Sequence, residues 1–134
     1  NIFSDSLHKS IKKFNSIKKP SKCLLNLVYV DDPERFGVPL ISDKKIIEIV
    51  EKPKNPQSSY CVTGIYLYDK NVFKFIKHLK KSNRGEYEIT DVNNFYVQQG
   101  TMTFQRLKGD WGDGGESFES LLEAGNIMAK KSKK

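Results

Sequence analysis

Residues 23–30 read C-L-L-N-L-V-Y-V, and this stretch decides the class of fold. A nearly continuous apolar run of strand length is expected of a strand covered on both faces. Such strands lie in sheets flanked by helices, so helical and strand patterns should alternate on either side. They do. Upstream, Leu7, Ile11 and Phe14 recur at helical spacing after Asp5 as a cap, with Lys9, Lys12 and Lys13 on the other faces and Pro20 closing the unit. Downstream, D-D-P-E-R-F-G at 31–37 is turn chemistry, I-I-E-I-V at 46–50 is a short strand, and Pro53 and Pro56 bracket a polar loop ending near Ser59. C-V-T-G-I-Y-L-Y at 61–68 predicts a strand in which Gly64 marks a bulge or a close backbone approach.

Val72, Phe73, Ile76 and Leu79 predict an amphipathic helix after Asp69, and a further helix runs from about Thr90 to Gln99 with Gly100 as its stop. T-M-T-F-Q-R-L at 101–107 alternates as a strand, and Phe118, Leu121, Leu122 and Met128 line one side of a final helix. The expectation is a single α/β domain over residues 1–134, without internal repeats.

Composition narrows the function. A chain of 134 residues with 37% hydrophobic content buries a core of its own. No apolar run approaches membrane-spanning length and the start does not resemble a signal peptide, so no membrane partner and a cytoplasmic location are expected. The first residue is Asn1, not methionine, and the chain is expected to be processed or a fragment. Cys23 and Cys61 sit inside apolar runs and read as buried free thiols; with only His8 and His78 beside them, no zinc site is expected. A formal charge of +7 points to anionic partners. The lysines are dispersed apart from K-K-S-K-K at 130–134, which reads as a solvated, frayed end, and no nucleic-acid-binding motif accompanies them.

Three clusters carry chemistry. G-D-W-G-D-G-G at 109–115 gathers four of the nine glycines around Asp113, with the only tryptophan two places before it. A surface turn explains such a run; so does a backbone bent to aim Asp113 into a site. E-K-P at 51–53 places Glu51 and Lys52 at a strand end, where open α/β sheets hold their ligands. R-G-E-Y-E-I-T-D at 84–91 offers Arg84 as a forked donor to a phosphate that Lys52 meets as a point charge, although a solvated ion pair and a loop arginine are the plainer explanation.

Taken in order, V-D-D-P-E-R-F-G-V, K-I-I-E-I-V-E-K-P-K-N-P-Q-S-S-Y-C-V-T-G-I-Y-L-Y-D, R-G-E-Y-E-I-T-D-V-N-N-F-Y and the W-x-D-x-G of W-G-D-G-G-E-S-F-E-S-L resemble the glucose-1-phosphate thymidylyltransferases, a sugar-nucleotidyltransferase family, from Asn1 to about Ala124. The resemblance implies a Rossmann-like core with a mixed, mainly parallel sheet, helices on both faces and an antiparallel extension around the sugar. It implies Mg²⁺-dependent transfer from dTTP to glucose 1-phosphate, giving dTDP-glucose and pyrophosphate. Catalysis of that kind rests on positioning and charge neutralisation, which suits a chain without an evident nucleophile.

By the same resemblance Asp113 matches a metal-binding aspartate, and Lys52 and Arg84 the cations at the sugar phosphate. Glu51 matches a carboxylate receiving sugar hydroxyls, Gly37 a glycine approached by the hexose, and Val62 and Tyr66 the wall of the same pocket. The resemblance also implies a homo-oligomer, or association with a missing N-terminal half. The family's glycine-rich nucleotide loop, G-x-G-T-R-L-x-P, is absent here, and its first metal-binding aspartate would fall just before Asn1. Gly112, Gly114 and Pro39 also depart from the pattern. The expectation is the sugar-phosphate-binding C-terminal portion of such an enzyme, inactive alone. The alternatives are a non-catalytic sugar-phosphate-binding relic or partner subunit and, less favoured, a basic nucleic-acid-binding domain.

Overall fold

The sheet is organised around β2 (Cys23–Tyr29), whose first six residues are buried on both faces as the apolar run requires. The computed structural model describes residues 1–131, so most of the basic run at 130–134 lies outside the described residues. Strand β2 is the centre of three, pairing antiparallel with β5 (Tyr60–Tyr68) and parallel with β6 (Met102–Arg106). Two further antiparallel ribbons complete the strands: β1 (Ile2–Phe3) with β7 (Trp111–Gly112), and β3 (Gly37–Ser42) with β4 (Lys45–Glu51). The mixed sheet is as expected. Its predominantly parallel character is not, because among the described residues parallel pairing is confined to β2 and β6.

Helices cover both faces of the sheet. Cys23, Leu25 and Leu27 pack with Val92 and Tyr96 of α3 (Ile89–Gln98), while Asn26 and Val28 face the other side, towards α1 (His8–Ser16) and Leu7. Asn26, the polar exception in the run, has a defined task. The β2–β5 register slips between Leu25, opposite Tyr66, and Leu27, opposite Val62, which leaves residues 63–65 facing Asn26 alone. The Asn26 amide donates to the Ile65 carbonyl at 3.1 Å and its oxygen accepts from the Ser10 hydroxyl at 2.5 Å. Gly64 lies in this bulge and is also closely approached, since a Cβ there would fall 2.4 Å from the Asn1 side chain. Both alternatives for Gly64 therefore hold.

Pro39 is accommodated by register. It stands opposite Ile49, whose N–H and C=O are both taken by the Asn94 side chain, so no amide is needed from the proline. The ribbon closes through Asp43 and Lys44, both at positive φ, as a two-residue hairpin loop demands.

Several sequence expectations are corrected. Asp5 does not cap α1; it accepts the Lys108 and Ser6 amides, and Leu7 holds the cap position. The buried residue of α1 is Ser10, drawn in by Asn26, while Ile11 is exposed. The helix after Asp69, α2 (Val72–Ile76), is short: Phe73 points outward and Leu79 reaches the core from the turn beyond it. In α4 (Phe118–Lys131) the inward residues are Ser120 and Ala124, while Phe118, Leu121, Leu122 and Met128 are exposed, Phe118 by 89%. The glycine loop explains this inversion. A Cβ on Gly112 would come within 3.2 Å of Ile127 and one on Gly114 within 3.4 Å of Ala124 and Leu121, so the loop lies close against the helix and its glycines make room for Ala124 and the ends of Ile127 and Leu121.

Candidate functional site

Five separate segments converge on one open cleft of about 360 Å³. Gly37 opens β3, Glu51 ends β4 with Lys52 directly after it, Val62 and Tyr66 come from β5, Thr90 and Asn93 from α3, and Trp111 and Asp113 from β7 and its glycine loop. A larger hollow of about 620 Å³ lies between α3 and residues 78–81, but it gathers none of Gly37, Glu51, Lys52, Val62, Tyr66, Arg84 and Asp113.

The Thr90 hydroxyl donates to Glu51 at 2.5 Å, fixing one carboxylate oxygen and leaving the other for a ligand. A Cβ on Gly37 would sit 3.4 Å from that carboxylate and 3.5 Å from the threonine hydroxyl, so glycine keeps the pair approachable. Lys52 leaves the strand in the left-handed region at φ +44, and its amide donates to the Phe36 carbonyl at 3.0 Å. A non-glycine residue in this region is held there by its surroundings, and such positions concentrate at ligand sites. Behind the cleft, Tyr66 stacks on Tyr68, whose hydroxyl donates to Asn93 at 2.6 Å.

Burial, then the negative charges of Glu51 and Asp113, push the Tyr66 hydroxyl up to about 12, so it is a neutral donor over the physiological range. Burial, then Asp32 and Asp113, push Cys61 to about 12 as well. Both groups hold their protons more tightly folded than unfolded. The stability they contribute is complete below about pH 9 and is lost as pH rises through about 12. Circular dichroism should show alkaline unfolding in this window, and Tyr66→Phe should move it upward; an unmoved transition would assign it to other groups.

Asp113 accepts the Gly115 amide through one oxygen at 3.1 Å and is half-buried at the cleft. Magnesium suits hard oxygen donors and commonly takes one or two carboxylates, with phosphates and water completing its shell. No group of three or more His, Cys, Asp or Glu able to hold a metal occurs among the described residues. Asp113 fits the share of one protein carboxylate, not a complete cage.

Arg84 is the one expected site residue that the cleft does not gather. It lines an adjoining hollow that shares Glu51, Lys52 and Thr90, and it pairs with Glu86 at 3.4 Å and Glu88 at 3.7 Å. Sequence reasoning missed Arg35, Asn93 and Glu116, which also border the cleft. Asn93 was detectable as the residue three after Thr90 on the same helical face. Arg35 lay hidden in what read as turn chemistry.

Comparison with known proteins bears out the resemblance. Residues 1–131 match the family model described as Nucleotidyl transferase. The glucose-1-phosphate thymidylyltransferase of Mycolicibacterium smegmatis is 39% identical over 132 residues, covering 96% of this chain and 44% of that protein. The bifunctional protein GlmU of Methanocaldococcus jannaschii is 35% identical over 97% of this chain and 30% of its own length, so the likeness extends beyond one activity. Among solved structures, a Bacillus anthracis protein described as a glucose-1-phosphate thymidylyltransferase, complexed with sucrose, superposes with a TM-score of 0.84 at 51% identity over 94% of this chain and 50% of that one. A UDP-glucose pyrophosphorylase at 22% identity and a TM-score of 0.77 shares the fold. The chain spans about half the length, or less, of these relatives. No helix among the described residues is long and apolar enough to cross a membrane.

Proposed function

The chain belongs to the nucleotidyl transferase family, and on that premise we propose that it forms the sugar-phosphate-binding half of a glucose-1-phosphate thymidylyltransferase. The observation that carries this is the convergence of Gly37, Glu51, Lys52, Val62, Tyr66 and Asp113 from distant motifs into one cleft. A phosphate oxygen of glucose 1-phosphate attacks the α-phosphorus of dTTP, one P–O bond forms, and the bond to the departing pyrophosphate breaks. Lys52 neutralises the sugar phosphate and orients its attacking oxygen. Glu51, held by Thr90, accepts from a sugar hydroxyl, and Tyr66 donates from behind. Asp113 would hold magnesium together with phosphate oxygens, and the ion when bound supplies charge neutralisation for the triphosphate.

One further feature supports a shared metal site. Ile2 pairs with Gly112 and Phe3 with Trp111, which sets the first residues of the chain beside the strand that leads into the Asp113 loop. By the resemblance, the family's other metal-binding aspartate would fall just before Asn1.

Calorimetry with glucose 1-phosphate tests the proposal. Lys52→Ala is expected to weaken binding by about 2 kcal/mol, the loss of a charged hydrogen bond. Arg84→Ala should cost less, because that arginine stands outside the cleft and is already paired. An unchanged affinity in Lys52→Ala would remove the sugar-phosphate assignment.

A further inference from the structure

The loop that carries Asp113 is rich in glycine, and glycine loses the most conformational freedom on being fixed. Something must hold the carboxylate in place. On the N-terminal side of Asp113, the Trp111 ring meets Phe36 edge to face, with centroids 5.1 Å apart, and the indole N–H donates to Asn1 at 2.8 Å. On the C-terminal side, the Arg35 guanidinium forks onto both oxygens of Glu116. Arg35 is itself fixed by Asp32 one turn earlier and lies 5.3 Å from the Phe36 ring centroid. Both ends of the glycine loop are thus fastened to the same dipeptide, Arg35–Phe36, which leads directly into Gly37 at the cleft.

We propose that Arg35 and Phe36 form a two-sided clamp on the Asp113 loop, with Arg35 a positioning residue that sets the carboxylate at a fixed distance from the Gly37 wall. The positioning role rests on the sugar-phosphate function proposed above; the clamp itself does not. A single exposed ion pair contributes little stability. A fork shared with a second carboxylate and a ring face fixes direction, and direction is what a metal-binding carboxylate on a glycine loop lacks. The pair is exposed enough to be weakened by salt, and so is the positioning it provides.

The test compares Arg35→Gln, Glu116→Gln, the double variant carrying both, and Arg35→Lys in this chain. Amide hydrogen exchange over residues 112–117 is measured by mass spectrometry, and affinity for glucose 1-phosphate with magnesium chloride present by calorimetry. Arg35→Gln and Glu116→Gln should each speed loop exchange by about tenfold while β2 and β5 keep their protection, and Arg35→Lys should fall between, keeping the charge without the fork. Affinity should drop by roughly three- to tenfold in either glutamine variant, and the double variant should be no worse than the weaker single. Unchanged loop exchange in both single variants overturns the clamp. A loosened loop with unchanged affinity overturns the positioning role. If Arg35→Gln loses protection throughout the sheet, Glu116→Gln decides, since it removes the same fork from the loop side. An unaltered chain that does not bind glucose 1-phosphate refutes the proposed function instead, and loop exchange still decides the clamp.

Discussion

Asp113→Asn in the complete nucleotidyltransferase is expected to lower turnover by two or more orders of magnitude, about 3 kcal/mol of lost transition-state stabilisation. The substitution preserves shape, and the amide oxygen can still accept from Gly115 as Oδ1 does now. What disappears is the charge facing the cleft, the one carboxylate that the proposed site would lend to an ion that holds its water tightly. Thermal stability should hardly move, because Asp113 makes no ion pair among the described residues and the hydrogen bond that it accepts from Gly115 is local. Initial rates across a magnesium titration check this. Near-normal turnover at saturating magnesium would remove Asp113 from the metal site.

The largest effect on stability is expected at Asn26. It is fully buried, and its amide satisfies the Ser10 hydroxyl on one side and the Ile65 carbonyl on the other. Asn26→Ala leaves both partners unsatisfied and opens a cavity in the β5 bulge, which should cost about 2–4 kcal/mol. Ser10→Ala alone should cost about 1 kcal/mol, and the double variant less than the two losses together, since one unsatisfied group has been removed. Urea denaturation of the four proteins gives the answer. A loss below about 1 kcal/mol for Asn26→Ala would mean that water fills the bulge and satisfies the carbonyl.

What could be read in advance follows from periodicity and distance along the chain. The buried strand at 23–30 and the helix ending at Gly100 obey local rules, and local rules are written in adjacent residues, whereas Pro39, which read as a departure, is accommodated through the distant Asn94. The outward stripe of α4 obeys a distant one. Its apolar residues look like a core face until Gly112 and Gly114 bring the loop close to the helix, with Ser120 and Ala124 buried and the ends of Leu121 and Ile127 against the glycines. The same holds at the cleft. Glu51, Lys52 and Asp113 announced themselves through their neighbours, whereas Arg35 matters through Glu116, a residue 81 positions away. Arg84 shows the converse: its motif and the chance of an ion pair were legible, but its place in the adjoining hollow was not.

The parallel pairing of β2 with β6 also sets a schedule for synthesis. Met102, the parallel partner of Cys23, leaves the ribosome roughly 80 residues after it, which at about 5–20 residues per second is a delay of several seconds. During that interval β5 can cover one edge of C-L-L-N-L-V-Y while the other remains an open, greasy template. The nascent chain therefore passes through a stage in which its most apolar strand is half-dressed, and a holdase binding there would favour recovery of the protein more than any change within the finished cleft.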